Sequence, residues 1–215
     1  MTAVIMPACS SEDEPNNNGG NNNGGGNGSY NGHDYVDLGL PSGTLWATCN
    51  VGATNPEGYG DYFAWGETET KDFFSEENYK FFEEDSIIKY NNYDGLTLLE
   101  EEDDAAMANW GNGWCVPSVE QWRELKQNTT NTWTTQNGVN GRLFTASNGN
   151  SLFVPAAGFR WIDELYGVGG NYWSSSLGTV DSCYPWYLDL HSGSCDVDGF
   201  SRSYGLSVRP VRSAR

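Results

Sequence analysis

The last 45 residues of the chain, 171–215, read NYWSSSLGTVDSCYPWYLDLHSGSCDVDGFSRSYGLSVRPVRSAR and contain no Glu, Lys, Gln or Met. The preceding 170 residues hold 15 Glu, 4 Lys, 3 Gln and 3 Met. At that rate the tail would carry about seven of them, so a chance absence is improbable against ordinary residue usage. The stretch is instead rich in Ser, with Gly, Tyr and Asp among its other common residues. Strands and tight turns disfavour the four missing residue types, which accounts for part of the absence and leaves a further cause to be found.

In the segment WYLDLH the apolar period is two. Leu188 and Leu190 are expected to point inward, with Tyr187, Asp189 and His191 pointing out together. The Tyr, Ser, Gly and Asp of the tail have the composition of a paratope, in which rigid aromatics give contact area and small residues adapt. The candidate ligand-binding surface is therefore Val180, Asp181, Tyr184, Tyr187, Asp189, His191, Asp196, Asp198, Phe200, Ser203 and Tyr204. Trp173, Trp186, Leu188, Leu190, Val208 and Val211 are expected to hold the framework.

The tail is made almost wholly of residue types reachable when codons of the form AAY are randomised at both adenines. Trp, Gln, Glu, Lys and Met are unreachable, and the exceptions Trp173 and Trp186 would be fixed positions. In this it resembles the variable region of proteins diversified by retroelements, whose C-terminal repeat sits on a C-type-lectin fold.

The opening of the chain sets its context. MTAVIMPACSS ends a short apolar run with Ala8 before Cys9 and resembles the end of a bacterial lipoprotein signal peptide, without the charged segment that opens one. That resemblance makes Cys9 the lipidated residue. The acidic residues 10–14 behind it look like the export signal of surface lipoproteins in Bacteroidetes. Residues 15–29, PNNNGGNNNGGGNGS, are low-complexity. They read as part of a flexible tether with a reach of about 25 Å. The domain reading is a signal remnant and lipidation Cys at 1–9, a tether at 10–32, and one folded domain at 33–215 with its variable region at about 172–212.

Net charge is −18, which makes nucleic acid an improbable partner because phosphate binding needs a basic face. An anionic membrane surface is disfavoured for the same reason, leaving the lipid anchor as the membrane link. Two helices are predicted. Residues 96–110, LTLLEEEDDAAMANW, carry acids in the first turns, where the helix dipole favours them. Residues 116–127, VPSVEQWRELKQ, have Ser118 as N-cap with Gln121 three residues on, and Trp122 and Leu125 facing the core. Residues 72–92 read as an irregular loop. Strands follow from Arg142 and from Ser151, with Asn137-Gly138 and Asn140-Gly141 as hairpin turn chemistry.

Over residues 34–212 the stations YVDLGLPSGTLWATCNVGA, GDYFAWGET, EDDAAMANWGNGWCVPSVEQWREL, NGVNGRLF, LFVPAAGFR, NYWSSS and GLSVRPVR occur in order. They resemble the Fibrobacter-type major paralogous domain of Bacteroidetes lipoproteins, with a departure at Cys115, where Arg is more usual. That resemblance implies an α+β, C-type-lectin-like, loop-rich domain with two helices and a small, mostly antiparallel twisted sheet. Trp46, Trp65, Trp110, Trp114 and Trp122 lie in these stations and are expected in the core.

Catalysis has few players, since His33 and His191 are the chain's two histidines. HExxH, CxxC, GxSxG and phosphate-loop motifs are absent, and no enzyme is expected. Formylglycine-generating enzymes, which share the lectin-like fold, use two cysteines close in sequence, whereas Cys183 and Cys195 lie apart in unrelated surroundings. In an envelope compartment one or two disulfides fit, with the pairing among Cys49, Cys115, Cys183 and Cys195 open. The acid run from Glu100 to Asp104 reads as a solvated helix face. No cofactor or metal ligand set is expected, and calcium as a structural ion stays open. The expected function is a surface-exposed outer-membrane lipoprotein displaying a hypervariable site for a protein or glycan ligand on another cell, phage or host. A non-variable glycan-binding or structural adhesin of the same domain family is the alternative.

Overall fold

The computed structural model describes residues 26–178 and 181–213. Cys9, and most of the stretch read as a tether, lie outside the described residues. Short strands β1 (Gly28–Tyr30), β2 (His33–Asp37) and β3 (Thr44–Ala47) come first, then β4 (Tyr62–Phe63) and the hairpin β5 (Phe82–Glu83) and β6 (Ser86–Ile87). Helices α1 (Ala105–Trp110) and α2 (Val119–Asn128) follow, then β7 (Thr129–Gln136), β8 (Val139–Ala146) and β9 (Ser151–Pro155). The remainder is strand and turn: β10 (Phe159–Trp161), β11 (Glu164–Tyr166), β12 (Gly170–Trp173), β13 (Trp186–Leu190), β14 (Cys195–Gly199), β15 (Gly205–Ser207) and β16 (Val211–Ser213). β1 falls inside the stretch read as tether, pairs with β2, and sets Tyr30 against Trp114 with ring centres 6.4 Å apart.

The α+β, C-type-lectin-like expectation of a small sheet with two helices is overturned. The chain is mostly β, 38% strand against 10% helix, an all-β-rich sandwich-like class in which helices are minor. The strands form several sheets. One runs β1-β2-β3-β16, a second β11-β10-β15-β12-β13-β14 with β4 on β15, and a third β7-β8-β9. The β12–β15 pair is parallel, while every other named strand pair is antiparallel.

Local chemistry explains the shift. The Thr-rich segment TTNTWTTQ, which shows no apolar period, becomes the eight-residue strand β7 because β8 pairs along its whole length. Asn137 and Gly138 make the turn between them with φ of 48° and 84°, the left-handed pair that a type I′ hairpin needs. Asn140-Gly141 is not a turn but part of β8. Gly141 is required there because a Cβ would lie 2.5 Å from both the Phe153 ring and the Val154 carbonyl.

The helix predicted over 96–110 shrinks to α1 and a 3-10 turn at Glu101–Asp103, since Leu98 is drawn into a bridge with Ser176. Asp104 is the N-cap of α1. Its buried carboxylate accepts from the backbone N–H groups of Ala106, Met107 and Val116. α2 forms as its sequence predicts, with the full Ser118/Gln121 capping box. It lays Trp122 and Leu125, both fully buried, against Trp46, Tyr172, Leu188 and Leu190. A second cluster gathers Trp65, Trp114, Trp173, Tyr187 and Leu206 on the other side of the long sheet. Thus the sheet is covered on both faces near its middle.

Candidate ligand-binding surface

The β13–β14 hairpin carries the tail's candidate residues, and its register decides which reach water. Tyr187 faces Asp198, Leu188 faces Val197, Asp189 faces Asp196, and Leu190 faces Cys195. Leu188, Leu190 and Cys195 lie in the cluster under α2, so Tyr187, Asp189, Asp196 and Asp198 occupy the opposite face. On the neighbouring strand Asn171 pairs with Asp189 and Trp173 with Tyr187. Asn171 donates to the Asp189 carboxylate at 3.5 Å.

Three carboxylates converge on this patch. Burial pushes the Asp189 carboxyl above its ordinary range; His191 opposes this, while Asp198 and Asp196 add to it. Lys126 Nζ bonds Asp196 at 2.7 Å and holds that carboxyl below its ordinary range. Both partners of this pair are substantially exposed, so it contributes little stability.

At the hairpin tip the His191 backbone N–H donates to the Ser194 carbonyl at 2.9 Å. Gly193 N–H donates to Nδ1 of His191 at 3.1 Å. Nδ1 is therefore the acceptor, which puts the ring proton on Nε2, where it donates to Ser194 Oγ at 2.7 Å. Both bonds are local and exposed, so water can replace either partner when the side chain changes.

An aromatic belt continues the patch across the sheet. The Tyr187 ring lies 5.0 Å from Phe200, Phe200 lies 5.2 Å from Tyr204 and 5.1 Å from Phe159, and Tyr204 stacks on Trp161 at 5.8 Å. Trp161 is 42% exposed and Tyr166 stands beside it. Phe159, Trp161, Tyr166 and Asn171 were not among the residues expected from the sequence. The alternation of Phe159 and Trp161 in FRW was the signal available for two of them.

Of the expected residues, Asp181, Tyr184, His191, Asp196 and Asp198 are exposed, and Asp189, Phe200 and Tyr204 are half-buried. Tyr187 and Ser203 are corrections: they are 6% and 1% exposed. Tyr187 does project to the face opposite Leu188, but that face is covered at its position by Phe200. Ser203 lies under the turn after β14, its hydroxyl 3.3 Å from that of Ser201. Val180 lies outside the described residues. The framework set behaves as expected, Trp173, Leu188, Leu190, Val208 and Val211 being buried, except that Trp186 is only half-buried beneath the Arg123 guanidinium.

Arg202, which no sequence signal marked, is 2% exposed and fixes the tail to the 72–92 segment. It donates to the carbonyls of Lys89 and Tyr90 at 3.0 and 2.9 Å, and to that of Ser182. Cys49, Cys183 and Cys195 carry free thiols while Cys115 is disulfide-bonded, so the expected pairing among these four cysteines is not found.

The acid run is solvated at Glu100, Glu101 and Glu102, as expected, but not at its end. Asp103 and Asp104 are buried, and Glu100, Glu102 and Asp103 converge on the ammonium of Lys89 at 2.6, 3.0 and 2.6 Å. Asp103 also takes Lys80 Nζ at 2.5 Å and the Tyr90 hydroxyl at 2.6 Å. A carboxylate cluster of this kind could hold a cation, and the chain supplies that cation itself. Comparison of the chain with protein-family models, curated proteins and solved structures finds no match.

Proposed function

We propose that the chain is a non-catalytic binding protein of the outer cell surface, joined to the membrane by acylation of Cys9. Its recognition surface is the outward side of the tail, and that surface is diversified between alleles. One observation supports this reading most. Along β13 and β14, Leu188, Leu190 and Cys195 lock the hairpin onto α2, while Asp189, His191, Asp196 and Asp198 stand on the solvent side or at the tip. A site that varies needs this separation, because surface changes usually stay within about 0.5 kcal/mol whereas core changes do not.

The residue chemistry agrees. Tyr184, Asp189, His191, Asp196, Asp198 and Tyr204 are all types that randomised AAY codons reach. Tyr and Asp on a rigid hairpin give contact area and hydrogen bonding at small entropic cost. The ligand is a protein or glycan presented by another cell, a phage or a host.

Sequencing the locus in sibling strains tests the proposal. Substitutions should cluster at 181, 184, 189, 191, 196, 198 and 204, with 188, 190, 208 and 211 unchanged. An even spread, or no variation, overturns the diversified reading and favours a fixed glycan-binding adhesin. The observation favouring that second reading is the exposed Trp161 stacked on Tyr204, with interplanar angle 15°, a platform suited to a sugar face.

A further inference from the structure

Between the tail and the β5–β6 hairpin lies a partly open cavity of about 180 Å³. It shares no lining residue with the acid patch or the aromatic belt. For scale, an engineered cavity of about 150 Å³ takes a benzene ring. Its walls are chemically mixed. Phe82 and Ile87 from the hairpin, with Tyr79 before it, give an apolar side. Ser201 and Ser203 give two hydroxyls that can each donate or accept.

The charges on the walls restrict the occupant. Arg202 lines the cavity, is 2% exposed, and spends Nη1 and Nη2 on backbone carbonyls. Its Nε–H is buried with no hydrogen-bond partner, so the guanidinium keeps unspent donor capacity beside the cavity. Glu76 and Asp85 add two carboxylates, which accept only. An anion would meet both carboxylates, and a cation would meet a guanidinium that its carbonyl bonds hold in place. A hydroxyl serves both sides, accepting from Arg202 and donating to a carboxylate.

We propose that this cavity binds a neutral, hydroxyl-rich ring of the size of one sugar residue, its C–H face against Phe82 and its hydroxyls on Ser201, Ser203 and Arg202. This goes beyond the surface recognition argued above and does not depend on it.

Cys183 lines the same cavity and keeps a free, exposed thiol, so occupancy can be read by labelling. The full chain is alkylated with iodoacetamide and followed by site-resolved mass spectrometry. Methyl glycosides of glucose, galactose and mannose are added in turn, with acetate and guanidinium as charged controls. At least one glycoside should slow Cys183 in proportion to one plus its concentration over Kd, about fivefold at four times Kd. Cys49 should be unaffected, and neither ion should protect Cys183. Ser201→Ala, at a half-buried position, should lose most of the protection at an unchanged melting temperature; Phe82→Ala should lose it too, with a lower melting temperature because that ring also packs on the core. The proposal is overturned if no glycoside slows Cys183, if an ion slows it as well as the best glycoside, or if both variants keep full protection.

Discussion

Arg142 in β8 donates through Nη2 to the carbonyl of His191 at 2.7 Å, tying the β7-β8-β9 sheet to the tip of the β13–β14 hairpin. The same nitrogen reaches the Ser194 carbonyl at 2.9 Å, and Nη1 bonds Asn131. A tip built of His, Ser and Gly would otherwise be loose. The guanidinium gives it one position, which a presented surface needs if its side chains are to be pre-organised.

Arg142→Ala should therefore destabilise the chain by about 1.5 to 3 kcal/mol, the range for hydrogen bonds to charged groups. Amide exchange at 191–194 should speed up with it. Denaturant unfolding together with hydrogen exchange checks this. A change below about 0.5 kcal/mol with unaltered exchange would mean the hairpin holds itself.

Trp122 is fully buried, its ring 4.6 Å from Trp46 and 6.1 Å from Tyr172, with Nε1–H donated to the Trp173 carbonyl at 3.2 Å. Trp122→Ala should cost about 3 to 5 kcal/mol, as large core truncations do. A loss under about 1 kcal/mol in urea unfolding would contradict the seating of α2 on the sheet.

The Asp103 network predicts an acid limb of stability. Burial by itself would raise the Asp103 carboxyl, but hydrogen bonds from Lys80, Lys89 and Tyr90 outweigh it and hold the carboxyl below its ordinary range. A group depressed in the folded state contributes stability that is fully present above its unfolded value, near pH 4, and is lost as pH falls through the folded one. Asp103→Asn should cost about 1 to 3 kcal/mol at neutral pH, since it leaves the buried Tyr90 hydroxyl and the partly exposed Lys80 and Lys89 ammoniums without their carboxylate. It should also flatten the acid limb below about pH 4. Melting temperatures of both proteins across that range decide it, and parallel curves would refute the assignment.

The two tail thiols should react differently. Cys183 is exposed, whereas Cys195 is 5% exposed in the core beside Leu190, and burial pushes its thiol up to about 11. Iodoacetamide at neutral pH should modify Cys183 in the native protein and Cys195 only once it unfolds. Equal native rates would mean that β14 is not seated as described.

Several of these features are legible in the chain. The Ser118/Gln121 box, the spacing of Trp122 and Leu125, the Asn137-Gly138 turn and the inward Leu188 and Leu190 are short-range signals, and each is found. What was missed depends on distant partners. Asp103 is buried because Lys89 and Lys80, 14 and 23 residues earlier, reach it. Trp161 meets Tyr204 because β10 pairs with β15, placing Arg160 opposite Gly205. β7 is a strand by pairing rather than by pattern, so the balance of strand over helix could not be read from periodicity. A period of two gave the side to which Tyr187 points, but not that Phe200 would cover it.

On the proposed function, the tail separates a framework from a recognition surface. A library of the full chain randomised at 184, 189, 191, 196 and 198, displayed and scored separately for folding and for binding, tests it most directly. Most members should fold with melting temperatures close to the parent while ligand choice changes from clone to clone. A matched library at 188, 190 and 195 should lose folding in most members, as core substitutions do. If most members of the first library fail to fold, or if they fold and never differ in binding, the recognition surface is not on the hairpin.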